Sequence, residues 1–377
     1  MAAAIDFSKV SSLKKKPSQI IIPVSAGGEV EYYDPKARKN NGNALRSGTC
    51  ALAVGALLLV GLVYISVHVT GLLNFQRPQE LIKELEQEDD GPKYESRVHE
   101  FIAATGCSVN FFLAWTTSAE SFSLRYRRTI ESTLKFHPTA CLIVYSPSLP
   151  LDYFQRFWDL GYNIVVERPN VPYLLNGTPA EVWYRNIEEW KKGPYFFSHI
   201  TEIIRLASLY KYGGVYLDTD VIVMRELDTL RNCLGTELAG SRGEAKILNG
   251  AVLAFDKGSP FIWEGMVEFN TTYRIDSWGW NGPELVTRVA GRFPRGPELR
   301  ILPTIAFYPI HWAKVKKYFT LEDMEDQHRV WQRMEAGTFL FHYWNKVTKD
   351  LIPEKGSLMY KVLNNYCIFC DETGKDG

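Results

Sequence analysis

No Asp, Glu, Lys or Arg occurs between Arg46 and Arg77. Inside that uncharged stretch, residues 50–67 are almost entirely apolar. A membrane-crossing helix needs roughly 20 mainly apolar residues, which this run supplies with its flanks. So long a span without charge argues against a buried core helix, and the 48 residues ahead of it argue against a cleaved signal peptide. Lys9, Lys14, Lys15, Lys16, Lys36, Arg38, Lys39 and Arg46 precede the span, against four acids. Glu80, Glu84, Glu86, Glu88, Asp89 and Asp90 follow it. Because positive charge stays cytoplasmic, the pattern predicts a type II membrane protein. Residues 1–48 read as a cytoplasmic tail, 49–73 as a transmembrane signal anchor, 74–106 as an acidic stem, and 107–377 as a lumenal domain.

Net charge is lacking too. Lys plus Arg and Asp plus Glu both total 43, so nothing in the overall charge points to a nucleic-acid partner. Cysteine is scarce at six residues, and the pair Cys367 and Cys370 has no second metal-type pair, which speaks against zinc and leaves a disulfide open. Asn270-Thr271-Thr272 is a usable glycosylation sequon. Asn176-Gly177-Thr178 is followed by Pro179 and is a poorer one. Aromatics are abundant, with ten Trp and twenty each of Tyr and Phe. They suit a large core and leave room for sugar-stacking platforms such as Trp183, Trp278 and Trp280.

From about Cys107 the pattern becomes globular. Residues 109–115 read as a buried strand. Residues 118–136 carry Phe122, Tyr126, Ile130 and Leu134 at four-residue steps, which predicts a helix stopped by Pro138. Strand-like runs recur at 141–145 and 163–166. Alternation of strand and helix argues for an α/β domain with a mainly parallel sheet, helices on both faces, and a ligand site at the carboxyl ends of the strands.

The most informative segment is residues 210–220, Tyr-Lys-Tyr-Gly-Gly-Val-Tyr-Leu-Asp-Thr-Asp. It reads as a helix end, a double-glycine turn and a short strand delivering Asp218 and Asp220. At i and i+2 on a strand both carboxylates would point the same way. Close carboxylates are costly unless a cation neutralises them, and hard oxygen ligands suit Mg²⁺ or Mn²⁺. Upstream, Ser198 reads as an N-cap and Gly213 as the stop of a helix that is apolar almost all round. Arg205 within it needs an anionic partner: either Glu202, or a metal-ligand carboxylate or the donor nucleotide sugar.

These residues carry a resemblance. Residues 199–223, Leu248-Asn249-Gly250-Ala251-Val252-Leu253-Ala254-Phe255, the block opened by Asn281-Gly282-Pro283-Glu284, Ala306-Phe307-Tyr308-Pro309-Ile310 and His342-Tyr343-Trp344-Asn345-Lys346 occur in this order. Together they resemble the α1,4-glycosyltransferase family, which includes lactosylceramide α1,4-galactosyltransferases and relates to other Asp-x-Asp sugar transferases. The likeness runs from about Asn110 to Cys370. It implies a single Rossmann-like catalytic domain of GT-A type, a nucleotide-sugar donor, a Mn²⁺ cofactor, retention of anomeric configuration and a Golgi address. Carried over, Asp218 and Asp220 are the metal and diphosphate ligands, with His342 matching the place of a late histidine ligand. Arg205, Tyr216, Asn249, Gly250 and Lys346 lie on the donor side, and Asn281 is a catalytic candidate. Glu202 stands where many members carry Asp, and Trp280 where the animal enzyme has His.

The chemistry fits these residue types. A glycosyl diphosphate leaves as an anion, which a divalent ion stabilises without a protonated general acid. His342 as a strand-end structural residue, Lys346 as a surface lysine, and Glu284 as compensation of a helix dipole beginning at Pro283 remain the competing readings. Retention through a covalent carboxylate and same-face attack stay equally open. The expected activity is hexose transfer, galactose from UDP-galactose in α1,4 linkage, to a glycolipid or glycan acceptor. The alternatives are a mannosyltransferase using GDP-mannose and a non-catalytic, membrane-anchored sugar-binding protein.

Overall fold

The structure, a computed structural model, describes residues 91–371. The expected tail, the membrane span and the stem up to residue 90 lie outside the described residues, and no helix within them is long and apolar enough to cross a membrane. Helices of eight residues or more are labelled here.

Helix α1 (Gly91–Thr105) occupies the end of the expected stem, so packed structure begins ahead of Cys107. Val98 on it is 2% exposed, Arg97 pairs with Glu167, and a Cys107–Cys141 disulfide fixes the segment that follows. Strand β1 (Asn110–Ala114), helix α2 (Leu124–Phe136), β2 (Cys141–Tyr145) and β3 (Asn163–Glu167) come next, close to the runs read from sequence. Then follow α3 (Phe196–Tyr212), β4 (Gly214–Leu217), β5 (Val221–Val223), β6 (Cys233–Ala239) and β7 (Ala245–Phe255). Helices α4 (Pro260–Thr272) and α5 (Pro283–Arg292), β8 (Arg300–Leu302), α6 (Met324–Gly337), β9 (Leu340–His342) and α7 (Leu358–Asn365) complete the described chain.

Seven strands form one mixed sheet in the order β3-β2-β1-β4-β7-β6-β8. β7 pairs antiparallel with both β4 and β6, and the other pairings are parallel, so β7 alone among them runs against the rest. Strand alternation sorts the core into two layers. Phe111, Leu113, Leu142, Val144, Val215 and Leu217 face a layer built with α2, α6 and α7. Phe112, Ile143, Tyr145, Tyr216 and Leu253 face α3, α4 and α5. The chain passes from β1 outward to β2 and β3, then returns to the other side of β1 as β4. That reversal opens a crevice at the carboxyl ends of β1 and β4, where open α/β sheets bind ligands.

Helix α3 begins two residues before Ser198, with Tyr195 at the N-cap position and no side-chain cap. Ser198 is therefore inside the first turn, because burial of Phe196 extends the helix past the polar signal. Its end is as expected. Gly213 adopts φ 71° and Gly214 φ 126°, and a Cβ on Gly214 would lie 2.3 Å from the Asn110 carbonyl oxygen. Only glycine lets β4 enter the sheet so close to β1.

Candidate active site

Asp218-Thr219-Asp220 is a turn between β4 and β5, rather than the strand continuation that the i, i+2 spacing suggested. The turn still turns both carboxylates to one place. The Asp218 N–H donates to Ala251 O at 2.8 Å, extending the β4–β7 ladder by one rung. Thr219 O accepts from Thr129 Oγ1 at 2.7 Å and from the Tyr343 hydroxyl at 3.2 Å. β5 pairs with β9, setting Val221 opposite His342. That pairing carries a distant histidine to the aspartates: His342 Nε2 lies 3.2 Å from Asp220 Oδ1. The Asn345 N–H donates to Asp220 Oδ2 at 2.8 Å. One carboxylate oxygen of each aspartate and one ring nitrogen of His342 all lie within 4.8 Å of one another.

Arg205 stands behind this cluster. Its Nη2 bonds Asp218 Oδ1 at 2.9 Å and its Nε lies 3.4 Å from Glu202 Oε2. Both readings of this arginine hold at once, because it pairs with its neighbour on the helix and with a carboxylate of the cluster. Tyr216 is buried beneath it, with the guanidinium 4.6 Å from the ring centroid. Tyr216, expected on the donor side, supports Arg205 from a buried position. Gly250 and Gly282 make room for the pair. A Cβ on Gly250 would lie 2.9 Å from Arg205 Nη1, and one on Gly282 would lie 2.5 Å from Glu202 Oε1. The close approach at Gly250 is therefore to Arg205.

Electrostatics follow from burial and these pairs. Burial raises the Asp218 pKa, and the charge of Asp220 adds to the rise against the pull of Arg205. For Asp220, burial is outweighed by His342 and the Asn345 N–H, and its pKa falls. Burial lifts Glu202 to about 7 despite Arg205. Burial also opposes a charge on His342, yet Asp220 overcomes it and the histidine pKa rises. The Trp344 N–H donates to His342 Nδ1 at 3.2 Å, which leaves Nε2 facing Asp220. A divalent cation fits here: two carboxylates and an imidazole form a donor set for one, and burial together with the Asp220 charge already pushes Asp218 toward protonation.

Other expected site residues fall differently. Asn281 is 1% exposed, and its amide is consumed. Its Nδ2 donates to Arg274 O at 2.7 Å and its Oδ1 accepts the Arg274 N–H at 3.0 Å. His199, bonded to the Tyr273 hydroxyl at 2.8 Å, lies against the same amide. Asn281, expected as a catalytic candidate, thus fixes the 273–282 loop with its amide. Trp280 is held between Arg274 and Arg288, at 3.5 and 3.8 Å from its ring, and Trp183 is buried. Trp278 is 44% exposed, and Lys346 Nζ lies 3.8 Å over it. Lys346 stands next to Asn345, one position from the backbone donor to Asp220. Asn249 holds Ala251 N–H at 2.7 Å through Oδ1 and Glu237 Oε2 at 2.8 Å through Nδ2. Glu237 and His199 carried no motif that sequence reasoning could have used.

Residues 123–235 match the glycosyltransferase sugar-binding region containing the DXD motif, and residues 254–373 match the alpha 1,4-glycosyltransferase conserved region. Lactosylceramide 4-alpha-galactosyltransferase of Gorilla gorilla gorilla is 32% identical over 279 residues, covering 68% of this chain and 81% of that protein. The chain belongs to the α1,4-glycosyltransferase family. An uncharacterized Arabidopsis thaliana protein is 39% identical over 284 residues, 72% of this chain; the chain spans only 44% of that relative's length. Human alpha-1,4-N-acetylglucosaminyltransferase is 28% identical over 209 residues, 52% of this chain and 57% of its own. Among solved structures, the Streptococcus pneumoniae glycosyltransferase GlyE aligns over 69% of this chain and 60% of its own, with a TM-score of 0.41 and 12% identity.

Proposed function

We propose that this transferase is a retaining, divalent-metal-dependent enzyme of GT-A type. It moves a hexose, galactose from UDP-galactose, in α1,4 linkage onto a glycolipid or glycan acceptor. The observation that carries the reading is the convergence of Asp218, Asp220 and His342 within 4.8 Å at the carboxyl end of β4. These three residues would hold Mn²⁺, or Mg²⁺ in its place. A bound ion would supply Lewis-acid stabilisation of the departing diphosphate. Arg205 orients Asp218 and opposes the rise that burial gives its pKa, while His342 and the Asn345 N–H favour the ionised form of Asp220. Lys346 is placed to add a point charge for phosphate oxygens.

Residues 49–73 anchor the protein as a single-pass type II membrane protein of the Golgi, with the catalytic domain lumenal. Disulfides at Cys107–Cys141 and Cys367–Cys370 support that side, since oxidising compartments maintain such bonds.

The test is nucleotide-sugar hydrolysis and transfer with UDP-galactose, UDP-N-acetylglucosamine and GDP-mannose. UDP-galactose should be the preferred donor, EDTA should abolish turnover, and Mn²⁺ should restore it. Asp220→Asn should leave the thermal transition in place and lower turnover by about 100-fold or more. Chelator-resistant turnover, or a fully active Asp220→Asn, would refute the metal-dependent reading. A preference for GDP-mannose would replace the donor.

A further inference from the structure

Glu237 is a carboxylate that the site described above does not use. It lies on β6, whose pairing with β7 places Thr236 opposite Leu248 and Leu238 opposite Ile247. Consecutive β7 residues are thus matched while Glu237 is skipped: it is the extra residue of a β-bulge. Bulges re-aim a side chain, and they gather beside active sites. Here the side chain meets the Asn249 amide, beside the Asn249 carbonyl that the Tyr308 hydroxyl reaches. Gly235, on the same strand, lies under Tyr308, where a Cβ would meet the ring at 2.8 Å. The Tyr308 hydroxyl reaches Asn249 O at 3.4 Å, and its ring lies 5.8 Å from that of His342.

Among the described residues, the Asn249 amide is the one hydrogen-bond partner of Glu237, and no cation pairs with it. Glu237 is half-buried, and Asn249 is 9% exposed. The Glu237 charge is felt across the site. Burial sets the Tyr308 hydroxyl high, and Asp218 and then Glu237 push it further. The pair leaves two groups uncommitted: the Glu237 oxygen Oε1, an acceptor, and the second proton of Asn249 Nδ2, a donor. An acceptor and a donor side by side match neighbouring hydroxyls on a sugar ring.

We propose that Glu237 and Asn249 together read the transferred hexose, Glu237 accepting one sugar O–H and Asn249 donating to an adjacent sugar oxygen. This assigns Glu237 as a donor-specificity residue, and it rests on the transferase reading above. Because the amide of Gln accepts from Asn249 as the carboxylate does, Glu237→Gln removes the charge while keeping the Asn249 bond.

The experiment is calorimetric binding to the full chain in detergent with Mn²⁺, using UDP, UDP-galactose, UDP-N-acetylglucosamine, UDP-glucose and monodeoxy analogues of UDP-galactose. Glu237→Gln should bind UDP as the wild type does and melt at the same temperature. It should bind UDP-galactose about tenfold or more weakly, as expected for loss of a charged hydrogen bond. That penalty should vanish for the one monodeoxy donor whose missing hydroxyl is the Glu237 partner. Equal UDP-galactose affinity in the two proteins, or a penalty shared by UDP itself, overturns the inference and leaves the transferase reading intact. A wild type that binds UDP and gains nothing from any of the three UDP-sugars overturns both.

Discussion

Arg205 carries two carboxylates from opposite directions, and little water reaches any of the three. Its side chain is 6% exposed, that of Glu202 13% and that of Asp218 28%. Removing the cation from such a trio leaves two carboxyls facing one another in a poorly solvated place, with nothing to hold either ionised against burial. Arg205→Met, which keeps most of the volume, should cost about 3–5 kcal/mol, read by urea denaturation. Adding Glu202→Gln should recover part of that loss, because one of the two orphaned carboxyls is gone. Residue type alone made Asp218, Asp220 and Arg205 legible, since charged groups inside an apolar pattern demand partners. Asn281 reads two ways. Asn-Gly-Pro is a turn signal as much as a site signal, and the turn took the amide for itself. Glu237 was illegible because only the strand register exposes a bulge.

At the scale of elements, the double-glycine joint between α3 and β4 sets where the aspartates emerge. Gly214→Ala should destabilise by about 1–3 kcal/mol or more, since φ 126° is strained for alanine and the Asn110 carbonyl blocks its Cβ. Gly291→Ala, where nothing lies within 4 Å, serves as the control and should be near neutral. The other end of α2 is pinned by a neutral histidine. His137 Nε2 accepts the Leu227 N–H at 3.1 Å, and burial lowers its pKa below the usual 6.5. Burial lowers His199 in the same way. The folded chain therefore binds these protons less readily than the unfolded one. Their contribution is fully present above 6.5 and is lost as the pH falls through the lowered folded values. The urea midpoint should drop on acidification, and His137→Gln should flatten part of the drop. The parallel strands β1, β2 and β3 were readable because buried apolar runs between turn signals have few other uses. β5 and β9 were not, for each has only three residues and pairs with a partner far along the chain.

At the scale of the molecule, covalent ties reinforce the ends of the described chain. Cys107–Cys141 closes a separation of 34 residues and Cys367–Cys370 one of 3. By loop entropy, Cys107→Ser with Cys141→Ser should cost about 3–4 kcal/mol, and the shorter pair about half of that, measured as shifts in denaturant midpoint. The shorter loop has other holds: Glu131 accepts the Ile368 and Phe369 N–H groups at 2.7 and 3.0 Å, and Arg128 bonds Phe369 O at 3.0 Å. The overall class, α/β with a mainly parallel sheet, was legible from alternation of patterns. The reversal of β7 was not, since a strand's direction leaves no trace in its composition.

The β5–β9 pairing has one more consequence. The aspartates belong to the segment that matches at 123–235, and the histidine to the segment that matches at 254–373. During synthesis the two acids emerge from the ribosome well before their third companion. A polypeptide that has not yet reached β9 thus holds only two of the three side chains that the β5–β9 pairing brings together. A molecule cut short of β9 keeps both acids and lacks the imidazole that the pairing sets beside them.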